Sequence, residues 1–272
     1  MAEKEPIIKF EPEKEQIKER GKNVTIVVSV IRHGEKTSEG KLSDLGFEKA
    51  KKIGQEKRIP TNGIKGYTSP FERATKTLEA VLKGVEEQPS TRRIFKSRVR
   101  FQLAPPEWEH FKEIVPKAKE IEKNEGEAGL FKYILFEPLL QRNLEQWTSS
   151  LAFFIDKYIR MGNKLYSNSH VELLHITHDV VIGDFLRKVA IVKDKEGKRI
   201  DIKDLDTLGG NIKPLEGFEF QIYLDQEGEK HLKINFRGNE FEVDEEKLSD
   251  LANKFKEEPH KGRTTKQDWK KQ

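Results

Sequence analysis

Three short segments carry side chains suited to handling an anion. Thr25-Ile-Val-Val-Ser-Val-Ile31 runs directly into Arg32-His33-Gly34-Glu35. Val171-Glu-Leu-Leu-His-Ile-Thr177 runs directly into His178-Asp179. Between them, Ser69-Pro70-Phe71-Glu72-Arg73-Ala74 opens a helix, with Ser69 as the expected N-cap and Pro70 at the first helical position. Arg73 then falls in or near the first turn, beside amide N–H groups that have no intrahelical partner, which is a natural anion site. Two arginines and two histidines brought to one place suit a phosphoryl group. Guanidinium groups bind phosphate oxygens bidentately and stay charged at any working pH. One imidazole can accept the phosphoryl group on nitrogen, and a second can steady charge on the oxygens in transfer. Metal binding is the rival use of paired histidines, but two arginines would repel a dication.

The elements around these residues show how they could be brought together. The apolar, β-branched runs 25–31 and 171–177 read as buried strands, and 64–68 as a short strand leading into the Arg73 helix. In an open α/β sheet, ligands sit at the carboxyl ends of the strands. Ser43 is the expected cap of a helix over about 44–57, and residues 92–104 read as a further strand ended by Pro105-Pro106. Gln146–Met161 has the spacing of a strong amphipathic helix, and residues 180–189 of another. Residues 217–224 alternate as a strand, Gln226-Glu-Gly228 turns, and 231–236 answers it; Asp244 can cap a last helix to about Phe255. The expected fold is α/β: a mostly parallel, doubly wound sheet with helices on both faces and an inserted, largely helical cap at about 105–145. Residues 23–257 form that domain. Residues 1–22, with six acidic and six basic side chains, read as a charged arm, and 258–272 as a basic flexible tail.

Composition narrows the function. With 51 basic against 47 acidic residues, the charge is too balanced to argue for nucleic acid by itself, and no nucleic-acid partner is expected. The absence of cysteine excludes disulfides, thiolate catalysis and Cys-ligated metals. No apolar run reaches the roughly 20 residues that span a bilayer, and the first 22 residues have no apolar signal core. The expectation is a soluble, cytoplasmic protein that does not engage membranes.

Arg32-His33-Gly34-Glu35, then Leu42-Ser43-x-x-Gly46 with Ala50, then Thr68-Ser69-Pro70-x-x-Arg73-Ala74-x-x-Thr77, and finally His178 after a strand, together resemble the histidine phosphatase superfamily, which includes cofactor-dependent phosphoglycerate mutases. The resemblance spans roughly residues 24–190. It implies that His33 is the phosphorylated nucleophile and that Arg32, Arg73 and His178 form the phosphate pocket. Its two branches place the proton donor differently. One takes a glutamate between the arginine helix and the second histidine, where this chain reads Leu103-Ala-Pro-Pro-Glu107-Trp-Glu109. The other takes an aspartate after that histidine, where this chain has Asp179. Asp179, Glu107 and Glu109 all stay open, with Asp179 needing the fewest assumptions. Glu35 is expected to line the pocket or bond to its loop, and His175, amid apolar neighbours, to be structural.

The resulting expectation is a phosphatase: a hydrolase of small phosphomonoesters acting through a phosphohistidine on His33, with no metal and no cofactor. Phosphoglycerate mutase-type phosphoryl transfer, or binding of a phosphorylated ligand without turnover, are the alternatives. Substrate choice would lie with the cap, and neither the substrate nor the oligomeric state follows from the sequence.

Overall fold

The computed structural model describes residues 19–57, 62–88, 93–103, 111–193, 196–200, 202 and 206–258. The expectations for the arm before residue 19, for Glu107 and Glu109, and for the tail from 259 onward lie outside the described residues.

The strand that ends at the Arg-His pair, β1 (Val24–Arg32), stands at the centre of a nine-stranded sheet. Its β-branched side chains alternate between two cores. Ile26, Val28 and Val30 enter a large cluster, and Ile31 enters a smaller one. The same alternation splits β4 (His170–Thr177), with Leu173 in the large cluster and Leu174 and Ile176 in the small one. Both strands are therefore covered on each face, which is why they read as continuous apolar runs.

Helices α1 (Asp44–Glu56) and α2 (Glu72–Glu86) supply the small cluster through Ala50, Ala74, Leu78, Val81 and Val85. They cross at close range. A methyl group on Gly54 would lie 2.0 Å from the Val81 carbonyl oxygen, and one on Gly84 would lie 2.0 Å from that of Lys51. The large cluster takes Leu144, Trp147, Leu151 and Ile155 of α4 (Pro138–Gly162), with Val181, Phe185 and Val189 of α5 (Asp179–Val189). It also holds Leu248, Leu251 and Ala252 of α6 (Glu245–Glu257), whose N-cap Asp244 accepts from the Lys247 amide as expected. Among the described residues, no helix is long and apolar enough to cross a membrane.

The sheet corrects one expectation. With β2 (Gly63–Thr68), β3 (Arg93–Val99), β5 (Ala190–Lys193), β6 (Arg199–Ile200), β7 (Gly217–Leu224), β8 (Lys230–Phe236) and β9 (Asn239–Val243), the strand order is β3-β2-β4-β1-β7-β8-β9-β5-β6. The pairings β3-β2, β2-β4 and β4-β1 are parallel, and the rest are antiparallel. The sheet is therefore mixed, with the parallel part confined to four strands, three of which, β1, β2 and β4, lead into the residues of interest. β7 buries only every second residue, as an antiparallel strand covered on one face does.

Three local expectations also shift. The strand expected over 92–104 stops at Val99 and gives way to a 3-10 turn over Phe101–Leu103. The helix expected from Gln146 begins at Pro138, so the stretch 138–145 assigned to the cap is the first part of α4, with Leu140 and Leu144 buried. Proline at the first helical position marks that start. Before it, α3 (Phe111–Phe136) breaks at Gly126, whose φ of 70° lies outside the helical range.

Candidate active site

The parallel register sets the geometry. Arg32 on β1 lies opposite Thr177 on β4, and Thr68 on β2 lies opposite Ile176. The next residues of each strand, His33, His178 and Ser69, therefore leave the sheet at one edge. The His33 amide continues the ladder to the Thr177 carbonyl at 3.0 Å, and the Ser69 amide to that of Ile176 at 3.2 Å.

The loop after β1 is built from close approaches. A methyl group on Gly34 would lie 2.7 Å from a Leu42 methyl, and one on Gly46 would lie 2.8 Å from the Glu35 carbonyl oxygen. Ser43 caps α1 by accepting the Gly46 N–H at 3.0 Å, and its own amide donates to the Glu35 carbonyl at 2.9 Å. Leu42, Ser43 and Gly46 thus clamp the loop onto the first turn of α1. On its other side the Gly34 N–H donates to the Thr77 hydroxyl at 3.0 Å, and that hydroxyl donates to the Arg73 carbonyl at 2.7 Å. Glu35 itself pairs outward with Lys49 at 2.6 Å, so its backbone, more than its carboxylate, serves the site.

α2 begins at Glu72, with Phe71 and not Ser69 at the cap position. The Ser69 hydroxyl lies instead 3.3 Å from His178 Nε2. Arg73 keeps its expected place in the first turn, its guanidinium 4.7 Å over the Phe71 ring.

The four predicted residues come together. Arg73 Nε donates to His33 Nε2 at 3.0 Å, and the two imidazoles stand edge to face with centroids 5.3 Å apart. His33 Nδ1 lies 2.8 Å from the Gly34 carbonyl. A carbonyl can only accept, so Nδ1 carries the proton and Nε2 offers its lone pair to the Arg73 side. Burial drives the His33 pKa down to about 3, and the charges of Arg73, Arg32 and Lys36 add to this against the Gly34 hydrogen bond. His178, between Trp147 and Phe71 with ring centroids at 6.4 and 5.3 Å, is held well below the ordinary value, again mainly by burial. Both rings are neutral near pH 7.

Arg32 is buried and anchored. Its Nη1 donates to the Ile212 carbonyl at 2.7 Å and its Nη2 lies 3.0 Å from Asp179 Oδ2, while Nε is buried with no partner among the described residues. Asp179 is the first residue of α5, and its other oxygen accepts the Val180 amide at 2.9 Å. Burial raises the Asp179 pKa, the Glu127 charge pushes the same way, and Arg32 and Lys36 oppose.

These groups open on a cavity of about 140 Å³ whose far wall is α3, through Glu122, Glu127, Leu130, Phe131 and Ile134. Glu127 reaches the Arg32 guanidinium at 3.4 Å and Lys36 at 3.7 Å. Lys36, Glu127, Ser69 and Trp147 are site residues that the motif search did not assign. Ser69 lay within a quoted motif and Lys36 beside one, but Glu127 had no signal, because the break at Gly126 interrupts the helical phase of α3. His175, the expected structural histidine, is fully buried, with Nε2 3.1 Å from the Tyr158 hydroxyl and Nδ1 unpartnered among the described residues. Among those residues, no group of three or more His, Cys, Asp or Glu is arranged to hold a metal.

No family model and no curated protein matches the chain. Among solved structures it is similar to "Mycobacterial hydrolase 1", at 12% identity over 79% of this chain and 99% of that one, with a TM-score of 0.49. A mycobacterial glucosyl-3-phosphoglycerate phosphatase shares 11% identity over 78% of this chain and 98% of that one, with a TM-score of 0.46. A phytase from Klebsiella sp. ASR1 shares 15% identity over 88% of this chain and 86% of its own, with a TM-score of 0.38.

Proposed function

We propose that this chain is a histidine phosphatase that hydrolyses small phosphomonoesters through a phosphohistidine on His33. The observation that carries the reading is the state of that imidazole: Nδ1–H is committed to the Gly34 carbonyl, and the Nε2 lone pair faces the Arg73 guanidinium at 3.0 Å. A nucleophilic nitrogen fixed in its free-base form beside a permanent cation suits attack on phosphorus and little else.

In the first half-reaction, His33 Nε2 forms a bond to phosphorus in line with the breaking bond to the ester oxygen. Arg73 and Arg32 bind the peripheral oxygens. His178 lies against the same oxygens. Asp179 protonates the departing alkoxide, and its raised pKa favours the protonated form that a donor needs. In the second half-reaction, Asp179 as carboxylate removes a proton from water, which attacks the phosphohistidine and restores His33 with release of inorganic phosphate. The cationic side chains supply the charge compensation, so no metal or cofactor takes part. Helix α3 belongs to an inserted cap over the leaving-group side.

The test is chemical trapping. Enzyme incubated with a labelled phosphomonoester and quenched in alkaline detergent should carry an acid-labile, alkali-stable phosphoryl group that His33→Ala lacks. A variant that is folded, unlabelled and still active at the wild-type rate would refute the mechanism.

A further inference from the structure

The wall that faces the leaving group has its own chemistry. On the sheet side the cavity is lined by Arg32, Lys36 and Arg73 with two neutral imidazoles. On the α3 side, among the described residues, it is lined by an apolar strip, Leu130, Phe131 and Ile134, and by the carboxylates Glu122 and Glu127. Glu127 is directed at the site by the turn at Gly126, where a φ of 70° ends the preceding helical run. Its two oxygens sit 3.4 Å from Arg32 Nη2 and 3.7 Å from Lys36 Nζ. Arg32 Nη2 also holds Asp179, so two carboxylates share one guanidinium nitrogen.

A bound phosphoryl dianion changes that balance. It claims Arg32, and Glu127 then faces a dianion with only Lys36 to offset its charge. A substrate that places a cation beyond the ester oxygen would restore the lost partner. A substrate that places a carboxylate there would add a third negative group to the same wall. Resting on the phosphatase reading above, we propose that the preferred substrates are phosphate monoesters of amino alcohols, with the organic ammonium group held by Glu127 and the carbon chain against Leu130, Phe131 and Ile134. Phosphoglycerate-type esters are disfavoured, which separates this site from a phosphoglycerate mutase. The bonds made and broken are those of ordinary ester hydrolysis, and the ammonium group is a recognition element only.

The experiment compares three alkyl esters with similar leaving groups: phosphoethanolamine, glycerol 1-phosphate and 3-phosphoglycerate. For the wild-type protein, kcat/KM should fall in that order, the first exceeding the last by about tenfold or more, as expected of one half-exposed charge acting at close range with opposite sign on the two substrates. Glu127→Gln should cut the phosphoethanolamine-to-phosphoglycerate ratio by about tenfold. The same three esters are titrated calorimetrically into His33→Ala, which reads selectivity by binding without turnover. Selective binding with no turnover by the wild type would remove the phosphatase reading and leave standing only the preference of the site for amino alcohol phosphates as ligands. Turnover of all three with no charge preference, or a ratio unmoved in Glu127→Gln, would overturn the proposal and leave the phosphatase reading in place. Failure of every ester to bind would overturn both.

Discussion

On the proposed mechanism, replacing Asp179 by Asn separates proton donation from the pocket's electrostatics, because the carboxyl does two things at once. Its Oδ2 lies 3.0 Å from Arg32 Nη2, and its Oδ1 accepts the Val180 amide at 2.9 Å. Asparagine keeps the shape and can still accept that amide, so the first turn of α5 should hold. It cannot release a proton to an alkoxide. A positioned general acid contributes about 10²- to 10⁴-fold, or roughly 3–5 kcal/mol, when the leaving group needs protonation. An alkyl phosphate should lose that much in kcat. p-Nitrophenyl phosphate, whose leaving group departs as a stable anion, should lose less than about tenfold. The lost negative charge acts in the other direction on binding. Two unit charges about 5 Å apart at an effective dielectric constant of about 20 interact by about 3 kcal/mol, so at pH values where Asp179 of the wild type is ionised, KM should fall for both substrates alike in the variant. The pH profile gives a third reading. With the wild type, alkyl ester turnover should decline as pH rises through the elevated Asp179 pKa, and in Asp179→Asn that limb should vanish. Steady-state kinetics on both substrates from pH 4 to 9 makes the measurement. Equal slowing of both, or of neither, together with selective loss in Glu107→Gln or Glu109→Gln, would refute the assignment to Asp179.

Three further outcomes follow from the same structure. Activity should survive exhaustive EDTA treatment, since guanidinium groups supply the positive charge; loss that is restored by Mg²⁺ or Zn²⁺ would count against the mechanism. Gly54→Ala should destabilise by about 3 kcal/mol in urea melts, because a methyl group there meets the Val81 backbone at 2.0 Å and the two helices must separate; a midpoint unchanged from wild type would refute the packing argument. Stability should fall on acidification, since His33 and His175 have pKa values near 3 in the folded chain, and only the unfolded chain takes up their protons below about pH 6.5. Each contributes a slope of about 1.4 kcal/mol per pH unit between those values, so His33→Ala should remove one such increment, and an unchanged slope would contradict the buried neutral imidazole.

The readable parts of this chain were those in which one physical demand dominates. The strands ending at Arg32 and Thr177 are buried on both faces, so their apolar runs are continuous, and the polar residues that follow can only stand at the sheet edge. The site was misread where two demands meet. Ser69 has the look of a helix cap, but its hydroxyl lies beside His178 and the helix starts three residues later. The first turns of α4 were hidden in a charged stretch, although Glu137-Pro138 and the spacing of Leu140, Leu144, Trp147 and Leu151 mark them once the helix is known. The antiparallel half was only partly visible. The hairpin of β7 and β8 announces itself by alternation and a Gly turn, whereas β5, β6 and β9 have only four, two and five residues and no periodicity to detect. Glu127 was beyond reach for a different cause: its place depends on the backbone turn at Gly126 and on the packing of α3 over the site.

Within the resemblance to histidine phosphatases, the motif positions between Arg32 and Thr77 are of two kinds. On the proposed mechanism, Arg32, His33 and Arg73 carry the chemistry. Gly34, Leu42, Ser43, Gly46 and Thr77 have none, and each is explained by distance alone. Gly46 has no room for a methyl group against the Glu35 backbone, and Leu42 fills the space above Gly34. Ser43 and Thr77 pin the loop from α1 and α2. The purpose of that clamp lies in the Gly34 carbonyl, which takes the His33 Nδ1 proton. Were the loop free to turn the carbonyl away, Nδ1 would lose its acceptor and the proton could move to Nε2, the atom beside Arg73, leaving no lone pair for phosphorus. Burial and the neighbouring cations keep the ring neutral, while the fixed carbonyl and the Arg73 Nε–H that donates to Nε2 together select which nitrogen is bare. On the proposed mechanism, the steric positions of the motif are therefore part of the chemistry of His33, acting one hydrogen bond away from it.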